Sequence, residues 1–220
     1  MKSKTIILSL AIIFCLTCFA FDAQAKEESL KANQIMMKVE KKYSVPGFVA
    51  KFIQSSTLKA MGIADVAEGK MFVKRPGMMR WEYEKPEKQI VVTDGENLWI
   101  YRPQDNQVMV GKAPEFFGAG KGASFLSDIS IIRRNFSVSI KNNSDKYYVL
   151  KLLPNEKRSD LSYLYLYVSK SNFEIAKIGI YNIYDDETEI ELIDSKLVDN
   201  PDSVFSFKIP KGVEVLKIGE

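Results

Sequence analysis

Few side chains in this sequence could carry chemistry. The 220-residue chain has no histidine, which removes imidazole acid–base catalysis, histidine-based triads and histidine metal sites. Its two cysteines, Cys15 and Cys18, both lie in an apolar run near the N-terminus. Thiolate catalysis and zinc–sulfur sites are therefore not expected in the mature chain. Gly118-Ala119-Gly120-Lys121-Gly122 has the look of a phosphate loop. It lacks the first glycine at the required spacing, and Gly122 stands where Ser or Thr would ligate magnesium. Asp185-Asp186-Glu187 gathers three acids on a turn, which reads as a solvated tip rather than a calcium site. No G-x-S-x-G elbow occurs. The chain reads as a non-enzyme with no cofactor and no metal. What remains is a concentration of aromatic and methionine residues around one arginine, Arg75, in the stretch from Gly69 to Tyr101.

That stretch, GKMFVKRPGMMRWEYEKPEKQIVVTDGENLWIY, reads as four strands joined by three turns. Pro76-Gly77 suits a type II turn, and Asp94-Gly95 between IVV and LWI is a strong hairpin signal. With Arg75 paired to Met78, a period of two places Phe72, Met79, Trp81 and Tyr83 on one face. The opposite face then carries Met71, Val73, Arg75, Met78, Arg80 and Glu82. A large apolar face without a catalytic group suggests a surface that holds something greasy, with Trp99 added from the next hairpin. Leu98 and Ile100 serve in place of Trp99 if the register moves by one.

The other elements follow in order. Lys2 and Lys4, an apolar run from Thr5 to Ala20 and Ala23-Gln24-Ala25 make residues 1–25 a secretory signal peptide cleaved after Ala25. The rest, 26–220, is expected to be one domain. Of 31 basic and 28 acidic residues, Lys2, Lys4 and Asp22 leave with the signal, giving a net charge of +2. So near a balance offers nothing to nucleic acid. Lys26 to Tyr43 is predicted helical, with an apolar stripe at Ala32, Met36, Val39 and Tyr43, and Pro46 stops it. Phe48 to Gln54 alternates as a strand, and 55–68 is open between strand and short helix. Gln107 to Val110 is a strand, and Ser124 caps a second helix to about Arg134, with Phe125, Leu126, Ile129 and Ile132 on one side. Strands follow at Lys146–Leu153, Leu161–Lys170, Phe173–Tyr184, Thr188–Val198 and Val204–Ile209. This pattern predicts a large antiparallel sheet curled under two amphipathic helices.

VKRPGMMRW, VVTDGENLWIY, GFVAKFIQ and FSFKIPKGVEV together resemble the LolA family of periplasmic lipoprotein carriers. The likeness spans nearly all of 26–220 and is weakest at Gly111–Phe136 and Lys146–Ser195. It implies a mainly β, α+β fold: an incompletely closed antiparallel β-barrel with an α-helical lid over an apolar cavity. It implies a monomeric periplasmic chaperone that takes lipoprotein acyl chains from an inner-membrane ABC transporter and delivers them to an outer-membrane receptor or acceptor. Phe72, Met79, Trp81, Tyr83 and Trp99 would then line the cavity, and Phe125, Leu126, Ile129 and Ile132 the lid. Arg75, in the matching Arg-Pro motif, would latch the lid by hydrogen bonds to its backbone. The glycines at 111, 118, 120 and 122 would hinge it. Two alternatives stay open: a carrier of another lipid, and a periplasmic sensor or regulatory module that transports nothing.

Overall fold

Alternating apolar and polar residues run through most of the chain, and they form twelve strands of a single sheet in the computed structural model. The structure describes residues 31–114, 124–158 and 160–219; the expected signal peptide and the hinge glycines 118, 120 and 122 lie outside them. The strands are β1 Gly47–Leu58, β2 Ile63–Lys74, β3 Met78–Lys85, β4 Gln89–Asp94, β5 Asn97–Arg102, β6 Gln107–Lys112, β7 Phe136–Asn143, β8 Tyr147–Pro154, β9 Tyr163–Ser169, β10 Ile175–Tyr181, β11 Glu187–Leu197 and β12 Glu214–Lys217. Their order is β12-β6-β5-β4-β3-β2-β1-β11-β10-β9-β8-β7. Every pairing is antiparallel except β12 with β6, which is parallel. The sheet is open, ending on β12 and β7.

Two helical pieces cover its inner face. Helix α1, described over 31–42, buries Ala32, Met36 and Val39, followed by Tyr43 just past its end, which is the predicted stripe. The tyrosine hydroxyl accepts a hydrogen bond from the Ile175 amide at 3.0 Å. The second cover was expected as one helix from Ser124 to Arg134. It is instead a 3₁₀ turn, Ser124–Ser127, followed by a six-residue helix α2, Ser130–Asn135. Asp128 breaks it, because its carboxylate bonds the Ser130 amide (3.1 Å) and hydroxyl, as a cap would. Phe125, Leu126, Ile129 and Ile132 are nevertheless all buried.

Three other strand readings change. The ambiguous 55–68 stretch belongs to a long hairpin: β1 runs on to Leu58, turns through Lys59–Met61 and Gly62 at φ 64°, and returns as β2. The stretch Val204–Ile209 is no strand. A 3₁₀ turn, Asp202–Phe205, leads into extended chain lying on the outer face, where Phe205 is buried and Phe207 packs near Trp99 and Tyr101. Asn200 anchors its start by donating to the Phe48 and Val73 carbonyls. Finally β7, with Phe136 and Val138 buried, and the short β12 had no counterpart in the expectation.

Candidate functional site

The site begins at the β2–β3 turn. Arg75, Pro76 and Gly77 form a three-residue loop closed by Lys74 paired with Met78, with a cis Arg75–Pro76 bond and Gly77 at φ 75°. The type II turn expected over two central residues is thus one residue short. That single step reverses the face of every β2 side chain relative to β3. Met71 now faces Trp81 and Val73 faces Met79, while Phe72 pairs with Arg80. Phe72 therefore stands on the outer face, and the expectation that it lines the cavity is corrected. Trp99 is corrected for the same kind of reason. It pairs with Val92 and Val110, on the outer face under Phe207, while its neighbours Leu98 and Ile100 point inward. Arg80 is an outer residue as expected, bonding Glu82 at 2.6 Å and the Val204 carbonyl at 3.3 Å.

Met79, Trp81 and Tyr83 remain together. With Val91, Ile180 and Ile190 they wall a cavity of about 300 Å³, to which Gln54, Thr188, Ser124 and Asp160 add a polar part. Phe52, which the sequence reading did not single out, organises the aromatic wall. Its ring meets Trp81 edge-on at 4.8 Å and Tyr83 at 5.0 Å, geometries that aromatic quadrupoles favour. Its alternation with Phe48 and Ala50 was the available signal. Ile180 and Ile190 come from distant strands, and only sheet order brings them opposite β3. The Tyr83 hydroxyl donates to Gln54 Oε1 at 3.1 Å, and burial pushes its pKa up to about 12, so the aromatic wall carries no charge at neutral pH.

Arg75 lies in the turn that joins β2 and β3. Its backbone amide bonds the Pro46 carbonyl at 2.7 Å, which aims the guanidinium into the seam between the turn, the end of α1 and the lid. Nη1 donates to the Val45 carbonyl at 2.8 Å and Nη2 to the Leu126 carbonyl at 3.1 Å. The planar fork lies 5.5 Å from the Tyr43 ring centroid, a favourable cation–π distance. Nε is buried without a partner among the described residues. Burial lowers the guanidinium pKa, opposed by Tyr43 and Asp128. Tyr43 itself is raised to about 12 by the same desolvation. One arginine thus ties three segments, including the backbone of the expected lid. Phe125, Leu126, Ile129 and Ile132, the residues expected to form a lid, are all buried in the core, and Ser124, at the start of the same segment, reaches the cavity.

Chemically the arrangement offers a partly enclosed apolar and aromatic wall with a polar part. Among the described residues no group of three or more His, Cys, Asp or Glu side chains could hold a metal.

A family model described as outer membrane lipoprotein carrier protein LolA matches residues 43–208. The outer-membrane lipoprotein carrier protein of Methylobacillus flagellatus is 32% identical over 152 residues, covering 68% of this chain and 72% of the relative. That of Neisseria meningitidis serogroup B is 27% identical over 165 residues, covering 74% and 77%. The crystal structure of an uncharacterized conserved protein from Thermus thermophilus shares the fold. Its TM-score is 0.57 at 12% identity, over 85% of this chain and 99% of that one.

Proposed function

The chain belongs to the LolA family, and from that premise we propose that it is a periplasmic carrier of acylated lipoproteins. In this reading it receives the acyl chains from an inner-membrane ABC transporter, shields them in the cavity walled by Met79, Trp81 and Tyr83, and delivers them to an outer-membrane acceptor. It works as a monomer without catalysis. Export by the N-terminal signal peptide places it in the periplasm.

One observation carries the reading: a cavity with an uncharged aromatic wall lies beside a segment whose backbone is held by a single arginine. Hiding an acyl chain from water contributes about 0.8 kcal/mol per methylene, so a dozen methylenes supply on the order of 10 kcal/mol before opposing costs. A shuttle must also let go. The Arg75 bonds favour the closed, empty form and so oppose cargo, which keeps the grip moderate. Met79 suits a wall that repacks around chains of different shape, because its side chain is unbranched and adaptable.

Native mass spectrometry of protein purified from a periplasm tests the proposal. Co-purified acylated lipoprotein is the expected result. Free phospholipid alone would make it a carrier of another lipid, and an empty cavity under all loading conditions would overturn transport altogether.

A further inference from the structure

Large apolar side chains are exposed together at one end of the sheet. On β2, the residues from Ile63 to Ala67 pair with β1 but have no partner on β3, whose register begins at Glu68 with Lys85. The β1–β2 hairpin therefore overhangs β3 by five residues, about 16 Å at the usual rise per strand residue. It carries Leu58, Met61, Ile63 and Val66, and Met61 at the turn is 71% exposed. The β10–β11 turn stands beside it, tied by the Lys59 amide donating to Asp186 Oδ1 at 3.0 Å, and adds Ile183 and Tyr184, the latter also 71% exposed. A cluster of this kind on a soluble chain marks a contact surface. Gln54 and Thr188, a few residues down β1 and β11, line the cavity, so the tip stands over its Gln54 end.

The geometry points to a lipid bilayer surface as what this tip meets. Leu58 and Ile63 pair with each other on one face of the hairpin, whereas Val66, opposite Ser55, lies on the other. A protein groove would bury one face; a bilayer interface solvates both, together with the turn. Tyrosine beside aliphatic residues also suits the headgroup boundary, where its ring is apolar and its hydroxyl wet. The charges around the tip choose the lipid. Lys59, with Lys157 and Arg158 beside Ile183, is outnumbered by Asp65, Asp185, Asp186, Glu187, Glu156 and Asp160, an acidic excess that disfavours an anionic surface and leaves a zwitterionic one. The inference rests on the carrier reading only in its purpose: a tip dipped into the interface brings the cavity end to where acyl chains leave or enter the membrane.

The test is flotation of the full-length mature protein with vesicles of phosphatidylcholine and phosphatidylethanolamine, and again with phosphatidylglycerol added. Wild type is expected to co-float with the zwitterionic vesicles. Adding anionic lipid is expected to weaken this at low salt and to matter less at high salt. The double variant Met61→Asp/Tyr184→Asp is expected to partition at least tenfold less, with an unchanged melting temperature because both side chains are exposed. Its affinity for a free long-chain fatty acid in solution should equal that of wild type, so a loss there would count against the cavity and not the tip. Wild type that stays in the aqueous fraction, a variant that floats as well as wild type, or tighter binding to anionic vesicles at low salt would overturn the inference.

Discussion

Replacing Arg75 tests the coupling between lid and cargo. In the closed form its guanidinium makes two charge-assisted bonds, to Val45 at 2.8 Å and Leu126 at 3.1 Å, each worth about 1.5–3 kcal/mol before costs. The desolvation that lowers its pKa opposes part of this, so a net of about 1.5–3 kcal/mol favours closure. Arg75→Leu keeps apolar bulk but removes both bonds and strands two carbonyls, and these two changes penalise the closed form. Opening becomes roughly 10–150-fold easier, and a ligand that binds only the open form gains the same factor. Titration of a fluorescent long-chain fatty acid should show tighter binding to Arg75→Leu, with slower release to acceptor vesicles. Arg75→Lys, which can satisfy only part of the fork's geometry, should fall between. Hydrogen exchange should rise over 124–135 in the same order. Equal affinity in all three proteins, with unchanged exchange in the lid, would refute the latch.

Filling the cavity should block it: Ile180→Trp, on the inner wall, is expected to weaken fatty-acid binding by at least tenfold (about 1.4 kcal/mol), whereas Trp99→Ala, on the outer face, should cost stability and leave affinity unchanged; fluorescence titration of both variants checks this. Stability should fall in alkali. Tyr43 and Tyr83 are raised from 10.0 to about 12 by burial. A raised folded-state pKa gives stability that is complete below pH 10 and lost as pH climbs to 12, up to roughly 5 kcal/mol for the pair. Urea unfolding at pH 9 and at pH 11.5 measures it, and Tyr83→Phe should lessen the loss, with Tyr43, Tyr163 and Tyr181, also raised, carrying the rest. Gly69→Ala should destabilise by about 1–3 kcal/mol, because an added Cβ would lie 2.0 Å from the Glu82 carbonyl oxygen; a thermal melt reads this as a drop of several degrees.

The sequence showed most of the fold because its signals were local. The stripe Ala32, Met36, Val39 and Tyr43 has one period and one burial solution, and the alternation of Leu164, Leu166 and Val168 against Tyr163, Tyr165 and Tyr167 likewise fixes a buried and an outer face. The site was less visible because it depends on relations between strands. One residue in the adjoining turn is enough to move Phe72 to the other face, although β2 and β3 are both legible as strands. Ile180 and Ile190 need the order β1-β11-β10, which no spacing along the chain encodes. The expected lid residues follow from their period, but the helix divides at Asp128, whose carboxylate turns back on the Ser130 amide and hydroxyl. Phe205 and Phe207 alternate as a strand would; burying one and packing the other at a tilt against Trp99 and Tyr101 satisfies that pattern without any strand pairing.

Why a cavity persists at this place follows from what covers the inner face. Around Phe48, Val73 and Met79 the sheet is covered by Tyr43, the α1 stripe and Phe125, Leu126, Ile129 and Ile132, all in one continuous core, and Arg75 bonds the backbone of both covers at Val45 and Leu126. Toward the overhanging hairpin the same face changes character: Gln54 and Thr188 replace aliphatic residues on β1 and β11. Both are held in place by partners, Gln54 by Tyr83 and Ser56 and Thr188 by Ser56, and a collapse that broke these bonds against apolar neighbours would cost about 1–3 kcal/mol for each group left unpaired. The cavity is thus bounded by a polar end and by the helical segment whose Leu126 carbonyl Arg75 bonds. On the proposed carrier function, a chain entering from the polar end would meet aromatic walls first and the segment bonded by Arg75 last, so that full insertion and lid opening would be one event. That order predicts that Gln54→Leu, by letting the open end collapse, weakens fatty-acid binding even though it makes the site more apolar; tighter binding to this variant would show that hydrophobicity alone, and not a held-open end, sets the affinity.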